Sequence, residues 1–238
     1  MPYLGFFHKI AISDTFVLLD TVQFKKNNYQ NRNRINCNNA AFWLSFPLVK
    51  HSLHTLIKDI EINYQIFSPE KHLKTIKQHY IKTPYFHALY PEIELIYQKK
   101  HQFLKDFNTE FILMMVNKLQ IKTEIIKASE MPLSGTASGG TEVTLEICKS
   151  LNANGYISGS GGKSYLDINK YAESNIDVYF QHYNHPKYFQ MNTNQFLPYL
   201  SVIDLYFNHG HKSNEIIFEN NEKNNLKVQN IPYLKENG

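Results

Sequence analysis

Short apolar runs alternate along this chain with longer stretches of helical periodicity, and that alternation restricts the fold more than any other feature. Tyr3 to Ala11 carries apolar residues at helix-like spacing, and Ser13-Asp14 supplies a break. Thr15-Phe16-Val17-Leu18-Leu19-Asp20 follows as a continuous apolar run closing on a carboxylate, the pattern of a buried parallel strand. Trp43 to Val49 reads as another strand, and Asp59-Ile60-Glu61-Ile62 alternates like a half-exposed one. Ser68-Pro69-Glu70 starts a helix that runs to about Lys82, where Thr83-Pro84 stops it. Helical periodicity resumes over about Phe86 to Lys99 and Phe103 to Leu119. The alternation then continues: strand at Thr123 to Ala128, helix at Thr141 to Leu151 behind the Ser138-Gly139-Gly140 loop, strand at Tyr156 to Ser158, helix at Asp167 to Glu173, strand at Val178 to Phe180 and helix at Leu200 to Phe207. The pattern predicts an α/β fold with a Rossmann-like, mostly parallel sheet flanked by helices, and a helical middle segment.

A length of 238 residues lies at the upper end of what one domain holds, so a single domain is expected over residues 1–219, followed by a loosely held polar tail over 220–238. Sixteen Tyr and sixteen Phe supply the apolar area a packed core needs. No run approaches the roughly 18 apolar residues of a membrane span, and the N-terminus lacks the order of a signal peptide, so a cytoplasmic protein is expected. Cys37 and Cys148 are distant and in no metal-like spacing; they read as ordinary thiols, and no resident metal is expected. A pI near 8.8 is too mild for a dedicated nucleic-acid binder.

The sharpest chemical feature is Ser158-Gly159-Ser160-Gly161-Gly162-Lys163-Ser164-Tyr165, which joins a predicted strand to a predicted helix. Glycines let the backbone approach an anion and aim N–H groups at it. A helix N-terminus adds a partial positive charge and Lys163 a full one. In an open parallel sheet, ligands bind beyond the carboxyl ends of strands, where this loop would lie. The spacing matches neither the P-loop nor the dinucleotide fingerprint, and a plain tight turn needing glycine for positive φ would give the same residues.

A second candidate runs from Asp20 to Arg34, with Gln23, Asn31, Arg32 and Arg34 as binding groups. Arg32 and Arg34 alternate around Asn33, so an extended chain projects both guanidinium groups from one face, suited to a phosphate or carboxylate. A solvated edge strand, or single-stranded nucleic acid binding through Tyr29 and Phe24, are the competing readings. Downstream, His185 lies in a loop after a strand, between Asn184 and Pro186, and is the proton-transfer candidate. Asp20 closes a buried strand and Asp204 sits in an apolar helix; either would orient a substrate group, or Asp204 would cap, pair with the basic segment or simply lie on a polar helix face.

With those residues in view, the chain resembles the WbqC-like family of bacterial proteins, encoded among genes for O-antigen and other surface polysaccharides. The likeness is carried by Tyr3 to Ile10, Asp20-Thr21-Val22-Gln23-Phe24, Asn31 to Ile35, Lys71-His72, Tyr80, Ser158 to Leu166, Gln181 to Pro186 and Leu200 to Leu205. The resemblance implies a transferase acting on a nucleotide-activated or phosphorylated (amino) sugar in lipopolysaccharide assembly. Amino-sugar acylation or aminoacylation is the step it suggests; adenylating or nucleotidyl transfer enters only by analogy of the strand-loop-helix fold, and the residues require no cofactor beyond a nucleotide or nucleotide-sugar substrate. A non-catalytic binding protein of the same pathway is the alternative. Family members carry a further strand ending in His-Gln-Pro or Met-Gln-Pro ahead of the Tyr-Leu match. This chain starts at Met1-Pro2-Tyr3, so that strand, expected beside the Gly159 to Lys163 loop, would be missing or lie upstream.

Overall fold

The computed structural model describes residues 1–135, 137, 139–191, 193–219, 221 and 227–228. Most of the expected tail over 220–238, and Ser138 of the expected loop, lie outside the described residues. The chain divides into two compact units, Met1–Ser129 with His185–Asn220, and Glu130–Asn184 with Asn221–Gly238.

The first unit opens with helix α1 (Leu4–Ala11), whose Leu4, Phe7 and Ile10 are fully buried at one-turn intervals. Strand β1 (Thr15–Leu18) follows and pairs in parallel with β4 (Glu124–Lys127), from Thr15 opposite Glu124 to Leu18 opposite Lys127. Asp20, just beyond β1, accepts hydrogen bonds from the N–H and Oγ of Ser129, just beyond β4, at 2.9 and 2.6 Å. One carboxylate thus ties together the carboxyl ends of both strands.

Strands β2 (Arg32–Cys37) and β3 (Ala40–Ser45) form an antiparallel hairpin through Asn38 and Asn39, both at positive φ (50° and 66°). Two central residues with positive φ are what a two-residue hairpin matching strand twist requires, and Asn tolerates that conformation better than most residues. The expected strand over Trp43 to Val49 therefore starts earlier and stops at Ser45, ahead of Pro47, which has no N–H for a ladder. Residues 59–62 make isolated bridges, Glu61 to Phe103 and Ile62 to Leu48, after a 3-10 turn at Ile57–Asp59, in place of the expected strand.

Helix α2 (Pro69–Tyr80) begins with proline at its first turn, where a missing N–H costs nothing. With α3 (Phe86–Gln98) and α4 (Leu104–Lys118) it forms the expected helical middle segment. Phe46, Tyr97 and Phe107 meet there with ring centroids 4.5 to 5.8 Å apart. Such pairs add about 0.5–1.5 kcal/mol each beyond the area they bury.

The second unit holds α5 (Gly140–Ser150), β5 (Gly155–Ser158), α6 (Ile168–Ala172) and β6 (Asp177–Phe180). β5 and β6 are parallel, and β7 (Lys227–Val228) adds to β6 antiparallel. Its core is Cys148, Tyr171, Ile176, Val178 and Phe180, with Tyr156 stacked on Tyr171. The chain then returns to the first unit with α7 (Val202–His209) and α8 (Ser213–Phe218). Every residue of α7 from Val202 to Asn208 is buried, so this helix is enclosed on all sides.

The chain is thus mixed α/β, with short parallel sheets flanked by helices. Among the described residues the strands pair in small separate sheets, so the expectation does not extend to one continuous Rossmann-like sheet. Among the described residues no helix is long and apolar enough to cross a membrane.

Candidate functional site

In the second unit, β5 leads into Gly159 and then a 3-10 turn over Ser160–Ser164, closed by the Gly162 N–H on the Gly159 carbonyl at 2.9 Å. The turn does not need glycine for its backbone angles. Gly159 has φ −68°, and among the described residues the glycines with positive φ are Gly135, Gly139 and Gly210. Gly162 has a packing reason, since a Cβ there would overlap Ser158 Oγ and come within 2.9 Å of Leu166 Cδ1. Gly159 and Gly161 have neither reason: a Cβ on either would meet nothing within 4 Å. Their bare backbone faces open space, the condition for close approach by a ligand.

Ser158 is buried and its carbonyl accepts the Gln181 N–H at 2.8 Å, which holds the loop to the strand that follows. Lys163 is exposed, its Nζ 5.4 Å from the Phe180 ring centroid. The helix dipole expected behind the glycines is displaced. α6 starts only at Ile168, and Asp167 caps it by accepting the Asn169 N–H at 3.1 Å. The helix start that does meet the loop is that of α5: the Tyr165 ring lies over Gly140, and the Asp167 N–H donates to Thr141 Oγ1 at 3.0 Å.

In the first unit, Arg32 and Arg34 project from one face of β2, and both lie over the ring of Trp43, which sits opposite Arg34 on β3. Their guanidinium carbons are 4.4 and 5.5 Å from its centroid, within the range of cation–π attraction. Arg32 donates to the Asn27 carbonyl and Arg34 to that of Tyr199, the latter at a long 3.4 Å. The buried Asn33 between them anchors the hairpin through the Met1 carbonyl. Asn31 and Gln23, the other binding candidates here, have their side-chain amides on the carbonyls of Phe46 and Leu53, and so support the backbone.

The three groups considered for proton transfer or substrate orientation are all held internally. Asp204 is fully buried and accepts from Tyr80 Oη at 2.8 Å and from Tyr188 Oη and Gln190 Nε2, both at 2.9 Å. Burial raises its pKa against the pull of those donors. His185 Nε2 accepts the Tyr199 N–H at 3.1 Å, and Nδ1 lies 2.9 Å from the Pro186 carbonyl, so the proton sits on Nδ1. With both nitrogens engaged, the ring orients Tyr199, and burial lowers its pKa. Asp20 spends both oxygens on Ser129.

Tyr199, which the sequence did not single out, has φ 59°, a left-handed conformation rare for a bulky residue. No residue pattern announces it. Trp43 was legible in principle, because an Asn38-Asn39 turn places it across from Arg34. Grooves of about 600 Å³ between α3 and α4, and about 380 Å³ between α2 and α3, contain none of the candidate residues. Among the described residues no cluster of three or more His, Cys, Asp or Glu could hold a metal ion.

Comparison with known proteins gives a consistent relationship. The uncharacterized protein Rv1507c of Mycobacterium tuberculosis is 27% identical over 212 residues, covering 88% of this chain and 90% of that one. No solved structure matches the chain. The model of the WbqC-like protein family matches residues 1–216, through both units and every candidate site residue named above, and the chain accordingly belongs to that family.

Proposed function

We propose that this protein is a cytoplasmic transferase acting on a nucleotide-activated or phosphorylated (amino) sugar in bacterial surface-polysaccharide assembly. The observation that carries the reading is the pair Gly159 and Gly161, which neither backbone angle nor internal packing requires to be glycine. They lie at the carboxyl end of β5 in a parallel pair, close in sequence to the exposed Lys163, and the same loop reaches the first turn of α5 through Tyr165 and Asp167. Such a position suits a phosphoryl group, whose oxygens take backbone N–H groups and an ammonium. The reading needs no resident metal or cofactor, and the transferred group is acyl, aminoacyl or nucleotidyl.

A second reading, a non-catalytic binding protein for the same class of ligand, is favoured by one observation. Asp20, Asp204 and His185 are all committed to internal hydrogen bonds. A thermal-shift screen against nucleotides, nucleotide sugars and acyl donors tests both. A ligand at a hundredfold its Kd stabilises by about 2.7 kcal/mol. Lys163→Ala should remove about 1–3 kcal/mol of binding energy, as expected for a charge-assisted hydrogen bond. Stabilisation with turnover supports the transferase, and stabilisation without turnover supports the binding protein. A Lys163→Ala variant that binds as wild type excludes the loop from the site.

A further inference from the structure

The outer face of the β2–β3 hairpin carries two cations without an anion. Among the described residues neither Arg32 nor Arg34 forms an ion pair with a carboxylate, and each has only a neutral backbone carbonyl as acceptor. Both Nε atoms are buried and have no hydrogen-bond partner. An arginine that merely keeps an edge strand soluble sits in water; these two are half-buried and stacked on the same indole. The stack restricts both side chains before anything binds, which lowers the entropy a ligand must overcome.

The surroundings are neutral donors and rings. Tyr29 is 48% exposed and packs 5.7 Å from Trp43. Burial raises the pKa of the Tyr3 phenol, which therefore stays protonated and able to donate. Tyr199 is kept in its left-handed conformation by His185 on its N–H, and its carbonyl meets Arg34. A strained backbone of this kind costs on the order of 1–3 kcal/mol and persists only where surrounding structure over-determines it.

We infer that this hairpin face is an oxyanion site for the phosphate or diphosphate of a small phosphorylated molecule, with Arg32 and Arg34 as the charges, Trp43 as their shelf and the tyrosines as flanking donors. The inference goes beyond the proposed function and stands on different residues from the glycine loop. Trp43 is the single tryptophan of the chain, so its fluorescence reports this face directly. The full-length protein is titrated with inorganic pyrophosphate and, separately, orthophosphate at fixed low salt while Trp43 emission is followed. A saturable change is expected, with Kd raised tenfold or more in Arg34→Gln and, independently, in Arg32→Gln, each variant checked for an unchanged circular-dichroism spectrum. Two variants keep the test decisive if one fails to fold. No emission change at saturating pyrophosphate, or an unaltered Kd in a folded variant, overturns the inference while leaving the Lys163 test standing. So does tight binding of unrelated single-stranded oligonucleotides that pyrophosphate does not displace.

Discussion

Removing the Tyr80 hydroxyl is the perturbation whose size the structure sets most directly. That oxygen donates to Asp204 Oδ1 at 2.8 Å and accepts the Asn36 N–H at 2.8 Å, all within the buried interior of the first unit. Tyr80→Phe keeps the ring, and with it the contact to Phe207 at 4.9 Å, but deletes both bonds. A hydrogen bond to a charged group contributes about 1.5–3 kcal/mol, and a buried amide left unpaired costs about 1–3 kcal/mol. Because the groups share one network, the two do not add fully, and a loss of about 3 kcal/mol is expected. In urea unfolding followed by Trp43 emission, which reports the same unit, the midpoint should fall by about 1–2 M with m unchanged.

The pH dependence of that loss carries a sign. The Asp204 pKa is raised in the folded state by burial, so its contribution to stability is fully present below the unfolded carboxyl value of about 3.9 and is lost as pH rises through the folded one. The Tyr80 donor opposes that rise, so the deficit of Tyr80→Phe should shrink on acidification. A loss under about 1 kcal/mol at neutral pH, or a deficit that grows as pH falls, refutes the reasoning. The network matters for the site because Tyr188 and Gln190, the other donors to Asp204, hold the segment between His185 and Tyr199.

Three further outcomes are expected. Gly162→Ala should destabilise the second unit by about 1–3 kcal/mol through overlap with Ser158, whereas Gly161→Ala should stay within about 0.5 kcal/mol and yet weaken ligand binding; thermal melts with and without ligand separate the two. Burial lowers the His72 pKa to about 4, so the neutral ring's contribution is present above the unfolded value of about 6.5 and is lost as pH falls toward 4, amounting to about 3 kcal/mol. An imidazole proton resonance for His72 that titrates near the unfolded value would rule this out. Burial pushes the thiols of Cys37 and Cys148 up to about 11, leaving about 0.1% thiolate at pH 8, so iodoacetamide should label the native protein far more slowly than free cysteine; equal rates would show the thiols to be accessible and ordinary.

The helices could be read because their signals are local. Pro69 opens α2, apolar residues at one-turn spacing line its buried face through Leu73, Ile76 and Tyr80, and the same logic marks α4 through Leu104, Phe107 and Phe111. Strands were harder. Period-two alternation at residues 59–62 resembles a strand, yet among the described residues no neighbouring segment pairs with it through more than a single bridge. The Asn38-Asn39 turn was present in the residues but hidden among many other asparagines.

At the candidate sites, the residues by themselves determined that Arg32 and Arg34 share a face, because extended backbone alternates its side chains whatever surrounds it. They also determined the glycine-rich turn after β5. Only the tertiary structure decided that Gly162 is glycine for packing while Gly159 and Gly161 are not, that Asp204 is a buried acceptor for Tyr80, Tyr188 and Gln190, and that His185 orients Tyr199. The Gly162 role depends on how Ser158 and Leu166 fold back over the turn, and the Asp204 role on a partner as distant as Tyr80, 124 residues away; a local pattern holds no information about which groups will be brought within contact or hydrogen-bond reach.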